Sequence, residues 1–297
     1  MSLPPRDPSN LTANNVTTEP MEPGREYRLI RRGPAWRKSL ASALADPEGL
    51  VGSPSARVFK RNPRSTVALV TVDDASLAVK IFNESRLDRR LLRWFVGSAA
   101  RRVARSSDRL GTAGFSVPPL VAVLEQPAGL MRSRSCIVTM AVDDGRRADE
   151  AWRSLTRTQR MRFARQLAEY ARRLHGNGFY PQDLRVDNLL VRSSDERWTF
   201  VLVDLDRVRQ YRRLTWRRRR KNLVQIDRSL GRYARSTEKL CFLRQYCGAV
   251  SHDELRRIVG EIRIASQRKD AEYARRRAKA GQRGGSVPLL PPPPDGA

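Results

Sequence analysis

Residues 183–206 place acidic and amide side chains around two apolar runs. Asp183 and Asn188 are five residues apart, and Asp204 stands near the end of the second run. Carboxylate and amide oxygens suit Mg²⁺ that is bound together with phosphate, and a carboxylate beside such a metal can accept the proton of an attacking hydroxyl. These residue types therefore indicate phosphoryl transfer. The alternative is that the aspartates only cap turns, as most loop aspartates do.

Two β-prone runs would have to position these side chains. NLLV (188–191) and TFVLVDLD (199–206) are separated by the polar segment RSSDERW, a pattern that predicts a β-hairpin. If the strands pair about Glu196, the start of the first strand lies opposite the end of the second. We therefore expect Asn188 and Asp204 to meet at the open end of the hairpin.

The same segment fits a wider pattern. DLRVDN matches the Asp-x-x-x-x-Asn spacing of protein-kinase catalytic loops, and VDLD follows where these enzymes carry a metal-binding Asp. Upstream, SLAVKIF matches the strand whose Lys contacts the phosphates of ATP. Lys80 in that strand is one of only seven lysines among 58 basic residues. We favour this phosphate-binding role for Lys80. The alternative is that Lys80 lies at the edge of the sheet and only extends its ammonium group into water.

The composition favours a globular protein with an anionic partner. The chain has 297 residues, 40% of them hydrophobic, and its 58 Lys+Arg against 31 Asp+Glu give a formal net charge of +27. Such a charge indicates that the partner is nucleic acid, an anionic membrane or a phosphorylated substrate. The charge alone does not distinguish these three. The three cysteines form no metal-binding pattern and no window is apolar enough for a membrane span, so we expect a cytoplasmic protein without a zinc site.

The periodicity predicts a β-rich half followed by a helical half. ARVFKR, STVALVTV and SLAVKIF predict an antiparallel meander, and GFSVPPLVAVLEQ and SRSCIVTMAV supply two more strands. Helices are predicted at roughly 88–110, from Thr156 or Thr158 to Gly176, and from the capping-box pattern Ser251–Glu254 towards Ala280. His175, near the end of the second helix, is expected to pack and not to titrate in catalysis.

Together these motifs resemble the lipopolysaccharide kinase family, the bacterial Kdo/heptose kinases with a protein-kinase-like fold. The motifs that carry the resemblance are FKRNPRST, VKIF, AGFSVPP, IVTM, LHGNGFYPQDLRVDNLLV, LVDLDRV, KNLVQIDRSLGR and STEKLCFLRQY. The resemblance implies an α+β fold of two lobes, a small β-rich N-lobe and a mainly helical C-lobe. The predicted divisions are a disordered tail (1–24), an ATP-covering N-lobe (25–143), a catalytic C-lobe (144–280) and a disordered Pro-rich tail (281–297).

The resemblance also implies a role for each matching residue. The residues that would carry out the reaction are the general base Asp183 and Arg185, which would contact the transferred phosphate. The residues that would hold Mg²⁺ are Asn188 and Asp204. The residues that would hold ATP are Lys80 and, because no Gly-rich loop precedes it, Lys60, Arg64, Ser65 and Thr66.

The sequence departs from the protein-kinase pattern in three further ways. Pro181-Gln182 replaces the His-Arg that usually precedes the catalytic Asp. Asp206 replaces the Gly of the Asp-Phe-Gly motif and could itself be the metal ligand. The helix after the strand lysine offers no Glu as its partner, only Asp88 and Asp108.

The predicted function is an ATP- and Mg²⁺-dependent kinase that phosphorylates a sugar hydroxyl of a lipopolysaccharide core or related lipid-linked glycan. The basic run RRLTWRRRRKN (212–222) would bind the anionic cytoplasmic face of the inner membrane, or acidic sugars of the acceptor; a solvated basic face is the alternative. No specific nucleic acid is expected, because only Trp216 and Tyr211 could stack on bases. The rival functions are a kinase of a protein or small molecule, and a pseudokinase that binds membrane or nucleic acid.

Overall fold

The computed structural model describes residues 27–83, 97–126, 134–194, 197–231 and 233–281, which form a β-rich half followed by a mainly helical half. The strands are β1 (Arg28–Arg32), β2 (Arg57–Asn62), β3 (Ser65–Val72), β4 (Ala75–Asn83), β5 (Leu120–Glu125), β6 (Arg134–Met140), β7 (Arg146–Arg147), β8 (Phe179–Pro181), β9 (Leu189–Ser194), β10 (Arg197–Leu202) and β11 (Val208–Gln210). The α-helices are α1 (Pro47–Gly52), α2 (Ala99–Thr112), α3 (Ala148–Ser154), α4 (Arg157–Gly176), α5 (Trp216–Leu230), α6 (Ser236–Cys247) and α7 (His252–Gly281).

The β-rich half is built on a six-stranded antiparallel sheet in the order β1-β5-β6-β4-β3-β2. The predicted meander is confirmed in β2–β4, and local turn chemistry explains it. The side chain of Asn62 accepts hydrogen bonds from the backbone N–H groups of Arg64 and Ser65, which closes the β2–β3 turn. Asp73 takes a φ of 49° in the β3–β4 turn, a conformation that Asp tolerates better than most residues. Strand β1, which the sequence did not predict, completes the sheet beside β5.

The two faces of this sheet have different neighbours. We call the face that carries Lys80 and its cross-strand partner Ile137 the inner face, and the opposite face, with Val79 and Val138, the outer face. The outer face is covered by the segment before β2, whose buried Leu40 and other apolar side chains belong to one cluster with the strands. Helix α2 packs against β5 and β6, and its buried residues share a cluster with the inner face. The inner face therefore looks towards the helical half.

Helix α2 is shorter than predicted. Its N-terminus is at Ala99, where the Oγ of Ser98 accepts a hydrogen bond from the N–H of Arg101, and Gly97 has a φ of +80°. Helix α2 begins at this serine cap, which follows a glycine of left-handed conformation. The prediction of one continuous helix over 88–110 is therefore wrong at residues 97–98. The part of that prediction before residue 97 lies outside the described residues.

Helix α4 organises the second half of the protein. As predicted, it begins after Thr156, which forms a capping box with Gln159, and ends at Gly176. Its buried Phe163 makes edge contacts with Trp198 and Phe200 of the β9–β10 hairpin, with ring centroids 5.2 Å apart in both cases. The hairpin is thereby fixed on α4.

Helices α6 and α7 complete this half by packing against α4 and α5. The predicted start of α7 is confirmed, since the N–H of Glu254 donates to the Oγ of Ser251 at 3.1 Å. Among the described residues, no helix is both long enough and apolar enough to cross a membrane. The predicted α+β arrangement, a small β-rich half followed by a mainly helical half, is confirmed.

Candidate active site

The β9–β10 hairpin brings the predicted metal ligands to one end. Its register pairs Leu202 with Leu189 and Arg197 with Ser194, so the centre of pairing is within one residue of the predicted position. The N–H of Val203 donates to the carbonyl of Asn188, which extends the ladder to the open end. Asp204 follows directly, so the geometry places it beside the start of β9, as expected.

Asn188 is oriented by the loop that precedes it. Its side-chain Nδ2 donates a hydrogen bond to the backbone carbonyl of Asp183 at 3.0 Å. This bond uses the amide nitrogen, so the amide oxygen is the atom that can serve as a metal ligand. The same contact closes the loop 183–188, which carries the exposed carboxylate of Asp183.

Lys80 crosses from the sheet to the helical half. From the inner face of β4 its Nζ donates to Oδ1 of Asp204 at 2.6 Å, and it lies 3.6 Å from Oδ1 of Asp206. We call these three residues the phosphate site. They are partly buried, with side-chain exposures of 20% for Lys80, 33% for Asp204 and 32% for Asp206. The ion pair is therefore screened less than a surface pair would be.

The two carboxylates of the phosphate site titrate as a pair. Burial raises the pKa of both carboxyls. The hydrogen bond between them lowers the pKa of Asp204 and raises that of Asp206. The net pKa of Asp204 is lowered, since its contacts with Asp206 and Lys80 outweigh burial. The net pKa of Asp206 is raised, by burial first and then by Asp204. Two ionised carboxylates at this distance repel each other unless a cation or a proton lies between them.

This donor set fits a Mg²⁺ ion bound with phosphate. Within the described ranges, no group of three or more His, Cys, Asp or Glu side chains could hold a metal by itself. Asp204 and Asp206 with the amide oxygen of Asn188 supply fewer ligands than an all-protein cage, which is typical of Mg²⁺ sites that take the rest from phosphates and water. Lys80 lies near both carboxylates, so Asp204 and Asp206 are both candidate ligands, and the sequence-based preference for Asp204 stays a prediction.

The predicted phosphate-covering residues do not all lie on the inner face. Strand pairing places Lys60 opposite Val67, and Val67 opposite Lys80, so Lys60 shares the inner face and lowers the pKa of Asp204 through its charge. Ser65 pairs with Phe82 and is also on this face, although it is buried. Thr66 pairs with Ile81 and points to the outer face. The prediction for Thr66 is therefore corrected, because neighbouring residues in a strand face opposite ways.

Two other predicted residues have defined surroundings. Arg64 is exposed in the β2–β3 turn, where its backbone carbonyl accepts a hydrogen bond from the N–H of Asn83. Arg185 makes a two-pronged contact with Asp187, through Nε at 2.9 Å and a terminal nitrogen at 2.6 Å. Its guanidinium is therefore held by a carboxylate of the same loop, residues 183–188, which we call the catalytic loop.

Helix α5 holds the catalytic loop by its backbone, a feature that the sequence did not predict. Gln225 accepts from the N–H of Leu184 at 3.0 Å and donates to the carbonyl of Gln182 at 2.7 Å. Ser229 accepts from the N–H of Val186 at 3.1 Å. These bonds fix the residues on both sides of Asp183. Pro181-Gln182, which replaces the usual His-Arg, is thus supported from α5.

His175 extends this support into the core. Asn222 donates from Nδ2 to the carbonyl of Pro181 at 2.6 Å, so its Oδ1 accepts from Nε2 of His175 at 3.0 Å. Nδ1 of His175 then accepts from the hydroxyl of Tyr246, 2.7 Å away. Burial lowers the pKa of His175 to about 4. The imidazole is neutral and structural, as predicted.

The helix after Lys80 provides no acidic partner among its described residues. Asp108 pairs instead with Arg31 of β1, at 2.5 Å and 2.9 Å, on the exposed side of α2. Asp88 lies outside the described residues. Among the described residues, the lysine is held by the two aspartates after β10.

The basic run 212–222 does not form one surface. Arg217, Arg218 and Lys221 line a pocket of about 790 Å³ beside the catalytic loop. Arg220 turns the other way and pairs with Glu261 of α7 at 3.2 Å. Arg219 turns inwards, where its Nε is buried without a partner among the described residues. Because of the helical periodicity, the side chains of this run point in three different directions.

Comparison with models of protein families shows which family the chain matches. The family model "Lipopolysaccharide kinase (Kdo/WaaP) family" matches residues 45–264, well over half of the chain. A comparison with curated protein sequences finds no match.

One solved structure is similar in fold, which confirms the predicted two-lobed, protein-kinase-like fold. A structure described as "WaaP in complex with acyl carrier protein" is 20% identical, with a TM-score of 0.60, and the match covers 82% of this chain and 98% of that one. A second, described as "Structure of the streptomycin-ATP-APH(2")-IIa ternary complex", is 10% identical, with a TM-score of 0.45 and coverage of 73% and 86%.

Proposed function

Because the chain belongs to the lipopolysaccharide kinase (Kdo/WaaP) family, we propose that it transfers the γ-phosphate of ATP to a sugar hydroxyl of a lipopolysaccharide core or related lipid-linked glycan. The observation that carries this proposal is the contact of Lys80 with Asp204 and Asp206 across the two halves of the protein. In protein kinases a strand lysine contacts the nucleotide phosphates, and an Asp and the Asn of the catalytic loop hold the metal.

Each residue of the phosphate site then has a defined task. Lys80 would leave its ion pair in part to contact the α- and β-phosphates, with Lys60 on the same face contributing charge. Asp204, Asp206 and Asn188 would hold Mg²⁺, which when bound neutralises charge on the phosphates. Any proton held by the two aspartates would be lost when the metal binds, because a carboxylate ligand is ionised.

Asp183 would act as the general base on the acceptor. The acceptor oxygen forms a bond to the γ-phosphorus while the bond from that phosphorus to the bridging oxygen of ADP breaks. The hydroxyl proton passes to the carboxylate of Asp183, and ADP leaves. Arg185, fixed by Asp187, would lie beside the transferred phosphate. The hydrogen bonds from α5 keep Asp183 in position for this step.

The acceptor would be reached at the anionic cytoplasmic face of the inner membrane. Arg212 and Arg213 are exposed and would supply a peripheral contact with acidic headgroups, each contributing about 1 kcal/mol near the surface. Such binding should require acidic lipid and should weaken with salt. The WaaP structure contains an acyl carrier protein, and co-purification would test whether this chain binds a similar partner.

Asp183→Asn provides the decisive test. Purified protein is incubated with ATP, Mg²⁺ and lipopolysaccharide from cells that lack the gene, and the phosphorylated product is detected by mass spectrometry. Without the carboxylate, transfer should fall by about 10²- to 10⁴-fold, whereas the rise in melting temperature caused by ATP with Mg²⁺ should persist. Asp108→Asn is the matched control, since it makes the same chemical change at an exposed pair. Full transfer by Asp183→Asn would refute the assigned base.

The same measurements distinguish the non-enzymatic alternative. A pseudokinase would show no transfer by the wild type. If the wild type also gains no thermal stability from millimolar ATP with Mg²⁺, the phosphate site does not bind nucleotide, and the proposed function fails. Lys80→Ala and Asp204→Ala should each reduce the thermal shift if the assignments are correct.

A further inference from the structure

We propose that Tyr246 of α6 is a positioning residue for the transfer reaction, because its hydroxyl begins a buried hydrogen-bond chain that ends on the backbone beside Asp183. The chain passes through His175 of α4 and then through Asn222 and Gln225 of α5. This inference rests on the proposed function, in which Asp183 is the base, and it gives a task in that reaction to a side chain of a third helix.

The backbone end of the chain determines which atoms donate. A peptide carbonyl can only accept, so Nδ2 of Asn222 donates to Pro181 at 2.6 Å. For the same reason Nε2 of Gln225 donates to the carbonyl of Gln182 at 2.7 Å. A peptide N–H can only donate, so Oε1 of Gln225 accepts from Leu184. Each of the two amide side chains therefore has a single possible orientation.

The orientation of Asn222 then determines the tautomer of His175. Nδ2 of Asn222 also donates to Oε1 of Gln225 at 2.8 Å, which uses its second hydrogen and leaves Oδ1 to face the imidazole. Oδ1 can only accept, and it lies 3.0 Å from Nε2 of His175. Nε2 must therefore carry the proton of the neutral ring, and Nδ1 must be the acceptor.

Tyr246 supplies the hydrogen that Nδ1 of His175 accepts. Its hydroxyl oxygen lies 2.7 Å from Nδ1. Burial raises the pKa of the Tyr246 hydroxyl, which keeps it protonated, and Arg219 opposes this rise through its charge and a side-chain hydrogen bond. A guanidinium can only donate, so Arg219 occupies a lone pair of the oxygen and leaves the hydroxyl hydrogen for His175. The chain therefore runs in one direction, from Tyr246 to the backbone.

A reversed chain would place two lone pairs against each other in the core. If Nδ1 of His175 carried the proton in place of Nε2, the lone pair of Nε2 would face Oδ1 of Asn222. Both side chains are buried, so water cannot separate these atoms. Rotation of the Asn222 amide would relieve the repulsion but would remove the donor from the carbonyl of Pro181. The backbone before Asp183 thus depends on a hydroxyl in another helix.

Asp183 lies between the backbone groups on which the chain ends. The carbonyls of Pro181 and Gln182 precede it, and the N–H of Leu184 follows it. The side chain of Asp183 is exposed, so its direction depends on how the backbone on each side is held. A displacement of about 1 Å can lower a reaction rate by about 10²-fold. We therefore expect Tyr246 to affect the rate of transfer more than the binding of either substrate.

Tyr246→Phe tests the proposal, because it removes the hydroxyl and keeps the ring. Transfer to lipopolysaccharide from cells that lack the gene is measured while the concentrations of ATP with Mg²⁺ and of lipopolysaccharide are varied. We expect kcat to fall at least about tenfold and KM for each substrate to change less than about twofold. Tyr170→Phe is the matched control. It removes another buried hydroxyl, which has no partner among the described residues, and it should leave kcat unchanged.

Asn222→Ala separates an effect through the chain from an effect on general packing. In protein that carries Asn222→Ala the chain is already cut, so the addition of Tyr246→Phe should change kcat less than about twofold. An equal loss of kcat from Tyr246→Phe with and without Asn222→Ala would overturn the proposal. So would an unchanged kcat in Tyr246→Phe alone, or equal losses in Tyr246→Phe and Tyr170→Phe.

NMR of nitrogen-labelled histidine tests the direction of the chain in the wild type, and it requires neither activity nor a folded Asn222→Ala variant. We expect the neutral ring of His175 to carry its proton on Nε2. A proton on Nδ1 would reverse the chain and overturn the proposal.

Nucleotide binding provides the check on folding. Each variant should keep the rise in melting temperature that ATP with Mg²⁺ produces, which shows that it is folded and that the phosphate site is intact. A wild type that transfers no phosphate would refute the proposed function. Transfer by the wild type that Tyr246→Phe leaves unchanged would refute the positioning role alone.

Discussion

Lowering the pH from about 7.5 to about 5 should destabilise the protein through His175, which is buried and neutral near the end of α4. Burial lowers the pKa of this imidazole from 6.5 to about 4; the charge of Arg219 acts in the same direction, and the hydrogen bond to Asn222 opposes it. Between these two pKa values the unfolded chain binds a proton at His175 that the native state does not. Stability therefore rises with pH across this window and is lost as the pH falls through it.

The magnitude follows from the pKa shift. A difference of about 2.5 units at roughly 1.36 kcal/mol per unit gives about 3.4 kcal/mol when the pH is below both values. At about pH 5 the native state is still neutral at His175, and the loss is about 2 kcal/mol. Such a loss is a large part of the ordinary stability of a domain, which is about 5–15 kcal/mol.

Urea unfolding at both pH values would measure this effect in the wild type and in His175→Gln, which cannot titrate. Other groups titrate in both proteins, so the relevant quantity is the difference between their pH dependences. The wild type should lose about 2 kcal/mol more than the variant between about pH 7.5 and about pH 5. Equal losses would show that His175 is not held neutral by burial. NMR of labelled histidine gives a second readout, because the chain has only two histidines and His252 is exposed.

Three further predictions concern the backbone and the ion pairs. Gln225→Leu leaves the N–H of Leu184 and the carbonyl of Gln182 without their partner, so stability should fall by about 1–3 kcal/mol and the transfer rate should fall while ATP affinity is retained. Gly178→Ala should destabilise by about 2 kcal/mol or more in thermal unfolding, because its φ is +77° and a Cβ would lie 1.8 Å from the carbonyl oxygen of Tyr211. Asp108→Asn should cost less than about 1 kcal/mol and leave transfer unchanged, since its pair is exposed.

Each of these predictions has a clear contrary result. Loss of ATP affinity in Gln225→Leu would mean that α5 supports the phosphate site and not the loop alone. Gly176→Ala is the matched control for Gly178→Ala, since it lies in helix α4 with open space around its Cβ and should be neutral or stabilising by up to about 1 kcal/mol. If both glycine variants lose the same stability, the close contact with Tyr211 is not the cause. A large loss of transfer in Asp108→Asn would place that residue in the catalytic machinery.

The sequence predicted those parts of the fold that depend on local chemistry. The β2–β4 meander and the β9–β10 hairpin follow from turn residues and alternating apolar positions, and the pairing of the hairpin was correct within one residue. The capping residues Thr156 and Ser251 were recognisable because their side chains bond to amides three residues away. The roles proposed for Asp183 and Lys80 come from family motifs, and they remain predictions.

The parts that the sequence missed depend on distant partners. Strand β1 and helix α1 are too short to show a clear hydrophobic period, and the packing of the segment before β2 on the outer face is a tertiary effect. Gln225 and Ser229 look like the polar side of an amphipathic helix, although they bind the backbone of a loop more than 40 residues earlier. The family resemblance assigned Thr66 together with Ser65, and the alternation of a strand separates them.

Helix α5 carries two sets of side chains in successive turns. Arg217, Arg218 and Lys221 of its first turns line the pocket, whereas Gln225 and Ser229 of its later turns fix the backbone of the catalytic loop. The bonds that hold the loop come from Gln225 and Ser229 and not from the three cations, so replacement of the cations should leave the loop in place. The lining of the pocket can therefore be varied by mutation while the backbone around Asp183 keeps its support.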